Sequence, residues 1–133
     1  MAIDYGMKRT GLAVTDPLQI IASPLTTVLT AELLDFIKDY LQKEEVELLV
    51  IGMPKKLDNT PSSNAINVLG FMKALKRDLP DMPVKEVDER FTSVMALDAM
   101  IAGGMKKKDR REKGNVDKIS AAIILQSYLA SRR

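Results

Sequence analysis

Acids stand where apolar segments of this chain end or turn inward. Asp4 closes the apolar pair Ala2-Ile3, and Asp88 and Glu89 lie at the end of "PVKEVDER" (83–90). Asp117 precedes Ala121 by four residues and Leu125 by eight, which is the spacing of a single helical stripe. Carboxylates that converge repel one another unless a cation neutralises them. Oxygen ligands select a hard ion such as Mg²⁺ or Mn²⁺. Such a centre suits in-line hydrolysis of a phosphodiester. Each acid also has a plain structural reading. Asp4 can cap the following turn, Asp88 and Glu89 can be ordinary strand-end acids with Glu89 paired to Arg90, and Asp117 can answer a helix dipole for ~0.3–1 kcal/mol. None of these explains three acids at one edge, so their meeting depends on the elements that carry them.

The composition narrows the chemistry. The 133 residues contain no histidine and no cysteine, which removes the usual general base, imidazole and thiolate metal ligands, and disulfides. A hydrophobic content of 46% and a charged content of 29% suit one globular domain over residues 1–133. No apolar run reaches the ~18 residues of a membrane span, and no signal-peptide pattern opens the chain, so a cytoplasmic protein without a membrane partner is expected. The net charge of +2 says little, but "MKKKDRREKG" (105–114) gathers six basic and two acidic residues. Lys106, Lys107, Lys108, Arg110 and Arg111 can form a solvated loop or an arm that contacts phosphates.

The coarse pattern places these residues. A short strand over 1–5, "TGLAVTD" (10–16) and "IIASPLTTVL" (20–29) read as three antiparallel strands, with Pro24 favouring an edge or a bulge. Thr30 is a candidate N-cap for a helix with Leu33, Leu34, Ile37, Tyr40 and Leu41 on one face. "VELLVIG" (46–52) reads as a buried parallel strand. After the loop "MPKKLDNTPSS", Ser62 or Ser63 can cap a helix that faces inward through Ala65, Ile66, Leu69, Met72 and Leu75. The strand in "PVKEVDER" follows, then a helix capped by Thr92 or Ser93 and stopped at Gly103-Gly104. Asn115 can cap a last helix whose stripe is Ala121, Ala122, Leu125, Tyr128 and Leu129, with Asp117 in its first turn. The order βββαβαβαα predicts an α/β fold with a mixed five-stranded sheet, its first three strands antiparallel, flanked by helices. Ligands in such sheets gather at the carboxyl ends of parallel strands.

Four ordered segments, "AIDYGMKRTGLAV", "LLVIGMPKKLDNTPSS", "VDERFTSVMA" and "KGNVDKISAAIILQSYL", together resemble the YqgF/RuvX family of ribonuclease H-like proteins along essentially the whole chain. That family is described as Holliday-junction resolvases and as the nuclease maturing the 5′ end of pre-16S ribosomal RNA. The resemblance implies a ribonuclease H-like core and Asp4, Glu89 and Asp117 as catalytic metal ligands for Mg²⁺ or Mn²⁺, with a two-metal centre expected. Asp88 is then a secondary acid, because neighbouring strand residues point to opposite faces. Lys8, Arg9, Lys55, Lys56, Arg90, Thr92 and Ser93 would contact phosphates. The first strand reaches Asp4 after only three residues, which leaves room for residues upstream.

The expectation is therefore a divalent-metal-dependent endonuclease, with pre-rRNA as its leading partner and branched DNA as the alternative. A monomer or weak homodimer would serve either substrate. A non-catalytic RNA-binding assembly factor is a further alternative. A sugar-kinase or actin-like ATPase begins with a similar D-x-G motif but needs two such domains, and this chain has length for one.

Overall fold

The computed structural model describes residues 1–19, 21–53, 64–88 and 113–131. The strands are β1 (Ala2–Asp4), β2 (Arg9–Thr15), β3 (Ala22–Leu29), β4 (Leu49–Met53) and β5 (Val84–Asp88). The helices are α1 (Leu33–Lys43), entered through a 3₁₀ turn at Thr30–Glu32, α2 (Ala65–Asp78) and α3 (Lys113–Ser131). The helix expected between Thr92 and Gly104 lies outside the described residues.

The five strands form one sheet in the order β3-β2-β1-β4-β5. β1 is antiparallel to β2, and β2 to β3, whereas β1, β4 and β5 run parallel. The mixed sheet is thus the one expected. β1 and β5 are not neighbours, since β4 lies between them. Their parallel sense still brings their carboxyl ends to one edge. β4 is buried at all five positions, because helices cover both faces of the sheet there. β3 is an edge strand that carries Pro24, and its register with β2 shifts between Leu12 and Ala13, as a proline without an N–H to donate requires.

Alternation along the strands divides the interior into two layers. One face, through Ile3, Leu12, Leu49 and Ile51, packs against Leu33 and Ile37 of α1 and Val68 and Leu75 of α2. The opposite face, through Ala2, Ala13 and Val50, packs against Ala121, Ala122, Ile124 and Leu125 of α3. The first layer is built from large aliphatic side chains. The second mixes four alanines with Val50, Ile124 and Leu125, and the alanines let α3 lie closer to the sheet than large side chains at those positions would.

Three local expectations are corrected. Thr30 does not cap α1, since no side-chain cap bond forms there. Its hydroxyl instead donates to the Gly6 carbonyl at 2.7 Å. The inward stripe of α2 runs through Ala65, Val68 and Leu75, while Ile66 and Leu69 are 77% and 47% exposed. α3 begins at Lys113, two residues before Asn115, which places Asp117 beyond its first turn.

Candidate active site at the carboxyl edge of the sheet

The turn after Asp4 is fixed from three sides. Thr10, fully buried, shares a hydroxyl–hydroxyl bond of 2.9 Å with Thr30 and accepts the Gly6 N–H at 3.5 Å. The Thr30 N–H donates to the Lys8 carbonyl at 2.9 Å. Just before α2, Asn64 donates its side-chain amide to the Tyr5 carbonyl at 3.1 Å, and the Tyr5 ring packs on Phe71 with centroids 5.3 Å apart. A methyl group at Gly6 would run into the Arg9 carbonyl, so the turn closes only with glycine at that position. Lys8 stands exposed at the turn and Arg9 is half-buried.

Asp4 and the backbone of Asp117 both adjoin Gly11. In the β1–β2 ladder Gly11 is the Cα partner of Asp4, and alternation puts Asp4 on the face of Ala2, which packs against α3. A Cβ added to Gly11 would overlap the Asp117 carbonyl and stand 2.7 Å from the Lys118 nitrogen. The backbone of α3 therefore rests on the residue that pairs with Asp4. Asp117 is 28% exposed and accepts from Arg9 Nε at 3.5 Å. Its position one turn into α3 weakens the helix-dipole reading, because that effect falls off within the first turn.

The other candidates divide into two sets. Asp88 is paired through its backbone with Met53 at the carboxyl end of β5. Val87 packs beside the layer that faces α3. Glu89, Arg90, Thr92, Ser93, Lys55, Lys56, Lys106, Lys107, Lys108, Arg110 and Arg111 lie outside the described residues. Among the described residues, no group of three or more acids or other metal-ligand types is close enough to hold an ion. The donor chemistry of Asp4 and Asp117 suits a hard divalent cation and excludes a thiolate or imidazole site.

Gly11 and the Thr10–Thr30–Asn64 clamp escaped the sequence reading. A lone glycine inside a strand signals close backbone approach, and Gly11 carries that signal. Nothing in the spacing of Thr10, Thr30 and Asn64 marks them as a group.

The opposite pole of the sheet has a different character. A groove of about 720 Å³ there is lined by Val14, Val46 and Leu48 and rimmed by Asp16, Glu44, Glu45 and Glu47. Its rim is acidic, whereas Lys8 and Arg9 put positive charge at the edge of Asp4.

A mixed sheet in this strand order, with helices on both faces and acids at the carboxyl edge of β1, defines a ribonuclease H-like protein. A family model described as "RuvX: Holliday junction resolvase" matches residues 1–131, and the chain belongs to that family. A relative from Phocaeicola vulgatus is 59% identical over 133 residues, covering 100% of this chain and 96% of its own. One from Christiangramia forsetii is 54% identical over 129 residues, covering 97% and 96%. One from Flavobacterium johnsoniae is 53% identical over 133 residues, covering 100% and 96%. All three carry the name "Putative pre-16S rRNA nuclease".

Proposed function

We propose that this single-domain protein is a cytoplasmic, divalent-metal-dependent endonuclease that hydrolyses phosphodiester bonds while maturing the 5′ end of pre-16S rRNA. The observation that carries the reading is the junction at Gly11, where the strand bearing Asp4 and the helix bearing Asp117 approach each other. Its family and the names of its relatives supply the substrate.

Asp4 and Asp117 would hold Mg²⁺ or Mn²⁺ together with Glu89, which follows Val87 by two positions. Bound there, a pair of ions would lower the pKa of a water and offset the charge on the leaving oxygen. Lys8 and Arg9 bind the phosphate chain beside the scissile bond, and the clamped turn keeps them from retreating with the substrate. Lys55, Lys56, Arg90, Thr92, Ser93 and the basic run 105–114 would also contact phosphates. Asp88 would be a secondary acid. One such site on a monomer or weak homodimer suffices to trim an RNA end.

The test is cleavage of a transcript carrying the 16S 5′ leader, with Mg²⁺ or Mn²⁺ and with EDTA. Asp4→Asn and Asp117→Asn should each lower cleavage at least ~100-fold, since even outer-shell changes cost 10- to 100-fold. Unchanged cleavage by both variants would sink the proposal. A four-way DNA junction belongs in the same experiment because the family model is described as a resolvase. Faster cutting of the junction than of the leader would move the assignment to DNA recombination, whereas metal-independent binding without cleavage would make the protein an assembly factor.

A further inference from the structure

We propose that Arg9 serves as a stand-in cation for Asp117, competing with the divalent ion and passing to the substrate phosphate once that ion is bound. The inference rests on the metal-dependent reading above and adds to it a coupling between ion and substrate.

Arg9 and Gly11 lie two residues apart on β2 and share the face turned toward α3. Arg9 thus stands one pleat from Gly11, which adjoins both Asp4 and the Asp117 backbone. Its guanidinium Nε stands 3.5 Å from Asp117 Oδ2. A strong bond of this kind is closer to 2.8 Å. The two side chains retain 38% and 28% exposure, and pairs this open hold weakly. The backbone under Arg9 is fixed by contrast, by pairing with Leu29 and by the Thr30 bond to the preceding carbonyl. The side-chain rotors of Arg9 remain free to move, and they swing the guanidinium between Asp117 and the edge beside Lys8.

Charge sets the direction of that swing. Acids brought together need a compensating cation, and Arg9 supplies one positive charge to Asp117. A divalent ion supplies two and repels the guanidinium beside it. The phosphate of an arriving strand then offers Arg9 a new partner at the same edge. Lys8, exposed beside it in the turn, forms no ion pair among the described residues and acts on the phosphate alone.

The experiment measures Mn²⁺ binding by the nucleic-acid-free protein, using calorimetry or paramagnetic resonance, for the parent, Arg9→Gln and Arg9→Lys. Removing the charge should tighten Mn²⁺ by ~3- to 10-fold, the size expected for one nearby charge at a partly exposed site. Arg9→Lys should stay close to the parent. At saturating Mn²⁺, the salt dependence of leader-RNA binding should fall by about one phosphate contact in Arg9→Gln, a slope change of ~0.7–0.9.

If Arg9 merely pins α3 to the sheet, Arg9→Gln loosens the site and Mn²⁺ binds more weakly. Equal or weaker Mn²⁺ binding in that variant therefore overturns the inference, as does an unchanged salt slope. A parent protein that binds no Mn²⁺ refutes the metal-dependent reading instead. Thermal melts of both variants show whether the fold is retained.

Discussion

Substituting Gly11 with alanine probes the contact on which the site depends. The added methyl would overlap the Asp117 carbonyl and stand 2.7 Å from the Lys118 nitrogen, about 0.7 Å short of ordinary contact. Both obstacles are backbone, so no rotamer change relieves the overlap. α3 must shift by at least that amount, loosening its layer with Ala2, Ala13 and Val50. Overpacking of this kind costs ~1–3 kcal/mol, and alanine recovers ~0.5–1 kcal/mol because it restricts the unfolded chain. The net loss of up to about 2.5 kcal/mol lowers Tm by up to about 12 °C for a chain of this size. Asp117 moves with the helix, and a displacement near 1 Å lowers cleavage ~100-fold. Circular-dichroism melts and Mn²⁺ titration together read both effects. A Gly11→Ala protein that melts at the parent temperature and binds Mn²⁺ equally well would refute the claim that α3 rests on this residue.

Gly70 supplies the opposite case: a methyl there meets nothing within 4 Å, so Gly70→Ala should raise stability by ~0.5–1 kcal/mol through helix propensity, and a lower urea midpoint would contradict it. Thr10→Val keeps the shape of the side chain but removes the hydroxyl bonded to Thr30 and Gly6. It should cost ~1–3 kcal/mol and slow leader cleavage by loosening the turn after Asp4, and a parent-like melt with parent-like activity would count against the clamp. Asp78 is held down to about 2 by its hydrogen bond from Arg77, then by that from Lys38. A depressed carboxyl adds stability above its ordinary value of 3.8 that is lost as pH falls toward 2. Asp78→Asn should therefore show a smaller loss of urea midpoint between pH 4 and pH 2.5 than the parent, and identical slopes would exclude this linkage.

Much of the sheet was legible because its signals are local. The continuous apolar run of β4 told of burial on both faces, and Pro24 told of an edge. The period of α1 named Leu33 and Ile37 correctly. α2 was misread because Ile66 and Leu69 are apolar residues on a solvent face, where hydrophobicity alone cannot distinguish the sides of a helix. Thr30 was misread because its hydroxyl has a better partner in the Gly6 carbonyl, across 24 residues. Long-range competition of this sort leaves no trace in a cap motif. At the candidate site, the positions of Asp4 and Asp117 at the sheet edge and near the start of the last helix were legible, whereas the role of Gly11 between their elements was carried only by the weak signal of a lone strand glycine.

The two layers of the interior explain why the helix that carries Asp117 comes close to the strand pair that carries Asp4. Ile3, Leu12 and Ile51 hold α1 and α2 off the sheet by the full depth of branched side chains. On the other face, Ala2, Ala13, Ala121 and Ala122 occupy much less space, and at Gly11 the space falls to none. α3 consequently descends toward the sheet at its site end, and its backbone at Asp117 touches β2. A carboxylate on so short a side chain can serve the same edge as Asp4 only because of that descent. Larger residues in the alanine layer would leave each acid in its element but draw Asp117 away from Asp4, so stability and cleavage should decline together across a series of substitutions at Ala13 and Ala121.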